Sequence, residues 1–340
     1  MIGINNDIYK SLSALKNEIL SVADFYDLQK LLKVEGRTLE ELINRPLYNT
    51  FEIPKKKGGS RKIQAPSADL LAVQKTLNRY FQSIYLLVKP NEVHGFINKP
   101  EGFEYCHSIV SNAKPHVNKK HLLNIDLKDF FPSISAKSVR QILVNQIGIN
   151  DSQIADVLAL LCTYQKSLPI GAPTSPVMSN FACLEMDKEL VAYCLLKGID
   201  YTRYADDLTF SSNEYLTETI IQVMRTIINK HDFTINEKKF RLLSSKSKQT
   251  VTGIIVNKKV NVDRTYIRNI RATLHHIKTE GIEEATKKHY KVSAADQILQ
   301  QKLLFKVKGQ IDFVGQVRAK EDEIYFRLMN AYKSLNTLVL

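Results

Sequence analysis

Tyr-Ala-Asp-Asp at residues 204–207 is the stretch that decides which fold this sequence predicts. It lies between two short runs of β-prone residues, 199–203 (IDYTR) and 208–211 (LTFS). This pattern predicts a β-hairpin with two adjacent aspartates at its tip. Adjacent carboxylates repel each other unless a cation lies between them, and hard oxygen ligands of this kind suit Mg²⁺. The stretch therefore predicts a metal site at the end of a hairpin.

A third carboxylate, Asp126, ends an apolar run that predicts a strand at residues 121–126. A strand-borne aspartate with a hairpin Asp-Asp pair is the set of ligands that two-metal phosphoryl transfer requires. Asp126, Asp206 and Asp207 are therefore the predicted catalytic residues. Asp129 follows three residues later and could support a metal ligand or cap a helix, and both interpretations stay open.

The composition favours a polyanionic partner. The chain has 340 residues and a formal net charge of +13. Lys and Arg outnumber Asp and Glu in residues 256–340, and a second basic group comprises Lys55, Lys56, Lys57, Arg61 and Lys62. Basic regions on both sides of an acidic metal site predict a channel for a phosphate backbone. A solvated lysine-rich surface is the alternative.

The cysteines and the apolar segments predict a reduced, intracellular protein. Cys106, Cys162, Cys183 and Cys194 have no CxxC spacing, so we expect buried thiols rather than a zinc site or disulfides. No signal peptide is evident at the N-terminus, and no apolar run has the length needed to span a bilayer. We therefore expect a soluble protein of the bacterial cytoplasm.

The order of predicted elements indicates an α+β fold, with a small antiparallel sheet covered by helices on one face. Ser135 and Ser175 are the predicted N-caps of two helices, and Pro176 is placed in the first turn of the second. The predicted elements are helices within 1–50, at 67–87, from 135, at 176–198 and at 214–230, strands at 121–126, 233–236 and near 251–262, a basic hairpin at 51–66, and a mostly helical basic tail.

Two segments beside the predicted metal site could contact a nucleotide. Of Phe130 and Phe131, one ring belongs in the core, and the other could lie under the sugar and exclude a 2′-hydroxyl. The loop 168–176 (LPIGAPTSP) is either an ordinary turn before a helix or a place where backbone and a helix N-terminus meet phosphate or template.

Taken in order, these motifs resemble those of the reverse transcriptase family. Asp126 corresponds to motif A, residues 169–176 to motif B, 204–207 to motif C, 233–239 (FTINEKK) to motif D and 251–253 (VTG) to motif E. The chain is more narrowly similar to bacterial retron reverse transcriptases. The marks of that subgroup are the Asn-Ala-x-x-His segment at 112–116, the His-Gly-Phe stretch at 94–96 and Val-Thr-Gly at 251–253.

The resemblance implies a right-hand polymerase without a separate RNase H or endonuclease domain. Its parts would be a helical N-terminal extension at 1–50, fingers and palm at 51–256, and a basic, mostly helical thumb at 257–340. Two Mg²⁺ ions would be held by Asp126, Leu127 (through its carbonyl), Asp206 and Asp207. Nucleotide binding would involve Arg61, Phe131, Gly171 and Lys238, with Lys238 a candidate general acid for the pyrophosphate leaving group. RNA binding would involve Asn112, His116, Thr252, Gly253, Arg264, Arg268 and Arg271.

The resemblance also implies partners. They are dNTPs, a structured retron RNA, the cDNA primed from a guanosine 2′-hydroxyl in that RNA (multicopy single-stranded DNA), and an effector protein in phage defence. One departure is Ile170, where family members usually have Gln, because an Ile side chain cannot hydrogen-bond with nucleotide or template.

Other interpretations remain open at this stage. The chain could be another class of reverse transcriptase, such as a group II intron maturase, or a non-catalytic RNA-binding scaffold. Arg264, Arg268, Arg271 and Lys278 have spacings that place them on one helical face, which could grip a nucleic-acid duplex or be a solvated face. Asn112 and His116 could be a turn residue and a structural histidine, or could support RNA recognition.

Overall fold

The computed structural model describes residues 6–55, 58–99 and 107–339, with side chains up to residue 335. Lys56, Lys57 and Cys106 lie outside the described residues. The chain divides into two compact units, which are described separately. The first comprises Met1–Asn112 with Lys120–Leu242, and the second Ala113–Lys119 with Leu243–Leu340. The division into an extension, fingers with palm, and thumb at 1–50, 51–256 and 257–340 stays a prediction.

The first unit begins with three helices and a hairpin. These are α1 (Asn6–Leu20), α2 (Phe25–Leu32), α3 (Gly36–Asn44), β1 (Tyr48–Pro54), β2 (Ser60–Pro66) and the long helix α4 (Ala68–Val88). Leu12, Ile19, Leu28 and Leu39 are buried, as the amphipathic spacing requires. The predicted helices within 1–50, the basic hairpin and the helix after residue 67 are confirmed.

The rest of the first unit alternates helices with the strands of the central sheet. Its elements are α5 (Ile109–Ala113), β3 (His121–Asp126), α6 (Phe130–Ser133), α7 (Ala136–Ile142), α8 (Ser152–Cys162), α9 (Ser175–Ala182), α10 (Leu184–Leu196), β4 (Asp200–Tyr204), β5 (Asp207–Ser212), α11 (Glu218–Lys230) and β6 (Arg241–Ser244). The last residue of α5 and the last two of β6 lie beyond the boundary of this unit. Ser135 caps α7 by accepting a hydrogen bond from the Ser138 amide at 3.1 Å, as predicted.

The central sheet has the strand order β4-β5-β3-β6, and β5 pairs antiparallel with both β4 and β3. Leu122 and Leu123 in β3, and Leu208, Thr209 and Phe210 in β5, are all buried. Consecutive buried residues in the middle strands explain why their sequences are apolar runs rather than strict alternations. The predicted α+β class and the strand at 121–126 are confirmed.

Three boundaries differ from the prediction. The expected helix at 176–198 is two helices that meet at Cys183, and α11 begins at Glu218 rather than near 214, with Thr217 as its N-cap. The N-cap of α9 is Thr174 and not Ser175. The Ser175 hydroxyl is used elsewhere, because it donates to the carbonyl of Pro169 at 2.7 Å and closes the preceding loop.

The predicted strand at 233–236 is also wrong. The segment makes one isolated bridge, between Leu127 and Ile235, and leads into a 3₁₀ turn at Glu237–Lys239. Its backbone groups form hydrogen bonds with residues at the end of β3 instead of the regular pairing of a strand. The Lys128 amide donates to the Thr234 carbonyl at 2.8 Å, and the Asn236 amide donates to the Asp126 carbonyl at 2.8 Å.

The second unit is mostly helical, as the basic tail predicts. It contains the short strands β7 (Thr250–Val251) and β8 (Ile254–Ile255) and the helices α12 (Arg264–Glu280), α13 (Ile282–Tyr290), α14 (Gln297–Arg318) and α15 (Glu323–Val339). Ile267, Ile270, Leu274 and Ile277 give α12 its buried face. Their spacing of three and four residues leaves the arginines of this helix exposed. Within the described residues, no helix is long and apolar enough to cross a membrane.

Candidate active site

Strand register brings the three predicted catalytic carboxylates to one end of the central sheet. Asp126, the last residue of β3, pairs with Asp207, the first residue of β5. The Leu127 amide donates to the carbonyl of Asp206 at 2.9 Å, which fixes the hairpin turn beside the end of β3. Residues that are far apart in sequence therefore become neighbours through ordinary antiparallel pairing.

The turn that carries Asp206 is very tight. Ala205 has a φ of 58°, in the left-handed region. Gly95 lies directly against this turn, because a Cβ atom added to it would be 2.3 Å from the Ala205 nitrogen. A side chain at position 95 would push the hairpin out of place. The structure thus gives a physical reason for the glycine in the His-Gly-Phe stretch.

A buried ion pair holds the same hairpin from within. Arg203 and Asp187 are both fully buried, and the guanidinium donates from Nε at 2.8 Å and from Nη2 at 2.6 Å. Nη1 of Arg203 donates to the Ala205 carbonyl at 3.0 Å and to Oδ1 of Asn180 at 3.1 Å. Tyr201 adds a bond from its hydroxyl to Asp187 at 2.7 Å.

This network links α9, α10 and the catalytic turn, and no pattern in the sequence predicted it. An arginine directly before Tyr204 was the available signal, since a charged residue in a buried strand needs a partner. The partner could not be identified, because Asp187 is one of three acidic residues in α10, together with Glu185 and Glu189.

The carboxylates at the site repel one another. The pKa of Asp207 is raised to about 6, first because its surroundings remove water and then because Asp206 and Asp126 are close. Burial also raises the pKa of Asp206, and the charge of Asp126 adds to the effect. Ionisation of the group at neutral pH is therefore costly without a compensating cation.

The donor atoms fit a divalent cation. Within the described residues, no three acidic, histidine or cysteine side chains converge in a metal-ligand arrangement. Both oxygens of Asp126 instead accept hydrogen bonds, from Lys239 Nζ at 2.7 Å and from Asn236 Nδ2 at 2.8 Å. All three aspartates nevertheless offer hard oxygen ligands, and a cation would offset both the loss of water and the mutual repulsion that raise the pKa values of Asp206 and Asp207.

A cavity of about 870 Å³ opens beside these carboxylates. Its wall combines basic, aromatic and acidic groups, including Arg61, Phe96, Asp126, Phe131, Ile170, Asp206 and Lys238. This volume is suited to a small ligand. Basic side chains suit phosphate groups, aromatic rings suit a nucleoside, and the carboxylates suit a metal ion, so the cavity suits a nucleoside triphosphate with its metal. Asp129 also lines the cavity. It occupies the N-cap position of α6, but its side chain makes no capping bond.

The predicted nucleotide-binding residues occupy different places. Arg61, Phe131 and Lys238 line the cavity, and Phe130 is buried in the core as expected of one ring. Gly171 acts through the backbone. It has a φ of 129°, and a Cβ atom there would be 2.8 Å from the carbonyl of Gln64 on β2. The adjacent Ile170 carbonyl accepts from the Gln64 amide at 2.7 Å, so a side chain at 171 would disturb the contact between this loop and β2.

The residues predicted to bind RNA fall into two groups. Asn112 and His116 are fully buried, and the Asn112 carbonyl accepts a bond from the Thr202 hydroxyl at 3.2 Å. Thr252 and Gly253 form the two-residue turn between β7 and β8, and both have positive φ. Arg264, Arg268 and Arg271 are exposed on α12. The arginines are thus available to a ligand, whereas Asn112 and His116 have structural surroundings.

Comparison with known proteins identifies the family of the chain. Residues 53–292 match the model of the reverse transcriptase (RNA-dependent DNA polymerase) family. The retron Ec86 reverse transcriptase of Escherichia coli is 33% identical over 285 residues, covering 79% of this chain and 83% of the relative. The retron Mx65 enzyme of Myxococcus xanthus is 33% identical over 256 residues, covering 69% of this chain and 57% of the relative.

Solved structures include a telomerase from Candida albicans in complex with a fragment of telomeric RNA. It has a TM-score of 0.47 at 9% identity and covers 87% of this chain and 64% of the telomerase chain.

The present chain belongs to the reverse transcriptase family, and within it to the retron type. It is an RNA-directed DNA polymerase, and enzymes of this family use divalent metal ions.

Proposed function

We propose that this enzyme synthesises multicopy single-stranded DNA on a structured retron RNA, with two Mg²⁺ ions at Asp126, Asp206 and Asp207. The observation that carries the proposal is the pairing of Asp126 with Asp207 at the end of β3 and β5, with Asp206 in the adjoining turn. The Leu127 carbonyl would complete the ligand set. When bound, the ions would activate the attacking hydroxyl and offset charge on the transferred phosphoryl group.

The residues around the cavity have separate roles in this proposal. Arg61 binds the triphosphate from the hairpin β1–β2, where its guanidinium can form paired hydrogen bonds with phosphate oxygens. Phe131 lies under the sugar and excludes a 2′-hydroxyl, which selects deoxynucleotides. Gly171 keeps the loop before α9 in contact with β2. Lys238 is the candidate proton donor for the pyrophosphate leaving group, and its neighbour Lys239, which lines the same cavity, is a second candidate.

The retron assignment supplies the partners. The relatives named above are retron reverse transcriptases. As the resemblance to that family implies, the template would be a cognate structured RNA and the primer the 2′-hydroxyl of a guanosine in that RNA. Arg264, Arg268 and Arg271 would contact RNA phosphates from α12. The turn at Thr252 and Gly253 would adjoin that contact, and Asn112 and His116 would support it from within. An effector protein, a role in phage defence and a bacterial cytoplasmic location complete the proposal.

The test is polymerisation by the purified full chain with Mg²⁺ and labelled dNTPs, on RNA transcribed from DNA that flanks its gene. The product is treated with RNase and then with debranching enzyme, and an Asp206→Asn variant serves as the inactive control. We expect labelled DNA whose mobility changes on debranching, because a 2′-primed product carries a branch. The same RNA with the branching guanosine replaced should give no such product.

Each other result rejects part of the proposal. Extension only from an added primer would retain the polymerase and reject 2′ priming. Tighter binding of a group II intron RNA than of the flanking transcript would favour a maturase. Absence of incorporation on every primed template, with RNA still bound, would favour a scaffold.

A further inference from the structure

Phe96, the last residue of the His-Gly-Phe stretch, has an unusual backbone conformation. Its φ is 60°, in the left-handed region that bulky side chains rarely adopt. Such a conformation costs free energy and persists only where the surrounding contacts impose it. The contacts of Phe96 therefore indicate what the conformation achieves.

The backbone around Phe96 is held on both sides. Gln82, a buried residue of α4, donates from Nε2 to the Phe96 carbonyl at 2.9 Å and accepts from the Asn98 amide at 3.3 Å. The preceding Gly95 lies against the catalytic turn, and its carbonyl accepts from Asn180 Nδ2 at 3.0 Å. The segment is thus fixed by α4 on one side and by the hairpin and α9 on the other.

This backbone places the Phe96 ring against the Phe131 ring. The two centroids are 5.8 Å apart with an interplanar angle of 38°, and both rings line the cavity beside the carboxylates. Phe131 also contacts Phe130 at 5.5 Å, and Phe130 in turn contacts the buried Phe233 at 5.8 Å. Phe131 therefore contacts two rings, one from its own helix and one from the segment beside the catalytic turn.

We propose that Phe96 is a positioning residue for sugar selection, acting by preventing the Phe131 ring from moving away from the sugar. This inference rests on the proposed role of Phe131. A deoxynucleotide and a ribonucleotide differ by one hydroxyl group. A ring can exclude that hydroxyl only if the ring stays in place when the ribonucleotide binds. Without Phe96, Phe131 gains space on one side.

The test measures the ratio of kcat/KM for a dNTP to kcat/KM for the matching rNTP on a primed template. Phe96→Gly is the informative variant, since glycine adopts a φ of 60° without strain and the change removes the side chain that contacts Phe131. We expect the ratio to fall by about tenfold, with most of the change in kcat/KM for the rNTP. Phe96→Tyr, which keeps the ring, should retain the ratio of the unmodified enzyme.

The comparison with Phe131→Ala separates the two hypotheses. A ratio unchanged in both Phe131→Ala and Phe96→Gly would reject Phe131 as the sugar gate. A ratio that falls in Phe131→Ala but not in Phe96→Gly would reject the role of Phe96 alone. In the double variant, the ratio should equal that of Phe131→Ala, because Phe96 acts through Phe131. A loss of folded protein would lower both rates together and so could not produce the expected fall in the ratio.

Discussion

Lys239 and Asp126 form an ion pair at the centre of the site, with Nζ of the lysine 2.7 Å from Oδ2 of the aspartate. The hydrogen bond with Asp126 raises the pKa of Lys239, so this lysine carries its proton throughout the neutral range. The neighbouring Lys238 lines the same cavity, but no ion pair with Asp126 is seen for it in the described structure. The motif D segment therefore offers two lysines with different surroundings.

We expect Lys239→Gln to lower kcat by about 10- to 100-fold, the range seen when a group that orients a metal ligand is lost. Lys238→Gln is the matched control, since it removes the same charge from the same cavity, and it should lower kcat much less. Single-turnover extension of a primed RNA template measures both. A larger loss of kcat in Lys238→Gln than in Lys239→Gln would favour Lys238 as the proton donor, as the family resemblance implies.

Asp206→Asn should abolish extension while RNA binding persists. The variant keeps the size of the side chain but removes one charge of the proposed ligand set, so we expect kcat to fall by more than about 100-fold. Filter binding with the cognate RNA gives the affinity in parallel. Retained incorporation of dNTPs by this variant would overturn the assignment of the metal ligands.

The raised pKa of Asp207 predicts a dependence of stability on pH. The value of about 6 lies above the ordinary value of 3.8, so the folded protein binds this proton more tightly than the unfolded chain. The resulting stability is complete below about pH 4 and is lost as the pH rises through about 6. In EDTA, Asp207→Asn should therefore raise the melting temperature at pH 8 and change it little at pH 4.

With Mg²⁺ at pH 8, the unmodified enzyme should instead have the higher melting temperature. Mg²⁺ binds the ionised aspartates of that enzyme and does not bind the side-chain amide of the variant in the same way. Asp69→Asn, which alters an exposed aspartate in the first turn of α4, serves as the control and should show neither effect. Equal melting temperatures for the enzyme and Asp207→Asn at pH 8 in EDTA would contradict the cost of ionising Asp207 in the folded protein.

The sequence predicted the elements that carry the aspartates, because their signals are local. The two short runs of β-prone residues around Asp206 and the apolar run before Asp126 were sufficient. The segment at 233–236 failed for the opposite reason. Its β-prone composition suggested a strand, but its backbone forms hydrogen bonds with Lys128 and Asp126, which are distant in sequence. A local sequence pattern cannot predict such partners. The ion pair of Arg203 and Asp187 was not predicted for the same reason, because its partners are distant in sequence.

Ile170 lines the cavity at the position where the family usually has glutamine. Its carbonyl already binds the Gln64 amide through the backbone, so Ile170→Gln should keep the loop in place and add only a side-chain amide. We expect an active variant with a severalfold lower frequency of misincorporation, because the amide can hydrogen-bond with nucleotide or template. Single-nucleotide extension with correct and incorrect dNTPs measures this, and an unchanged frequency would assign no role to the missing amide.

The buried pair of Arg203 and Asp187 should contribute both to stability and to the position of the catalytic turn. Asp187→Leu leaves an uncompensated buried charge and should destabilise the protein by about 3–5 kcal/mol in urea unfolding. Lys188→Ala breaks an exposed pair with Glu185 on the same helix and should cost less than about 1 kcal/mol.

The double variant Asp187→Leu/Arg203→Leu distinguishes the two contributions. It removes both charges, so much of the lost stability should return. Activity should not return with it, because the Ala205 carbonyl has then lost the donor that holds the turn beside Asp206. If the double variant regains both stability and kcat, the pair serves folding alone and the turn is positioned by the contact with Gly95.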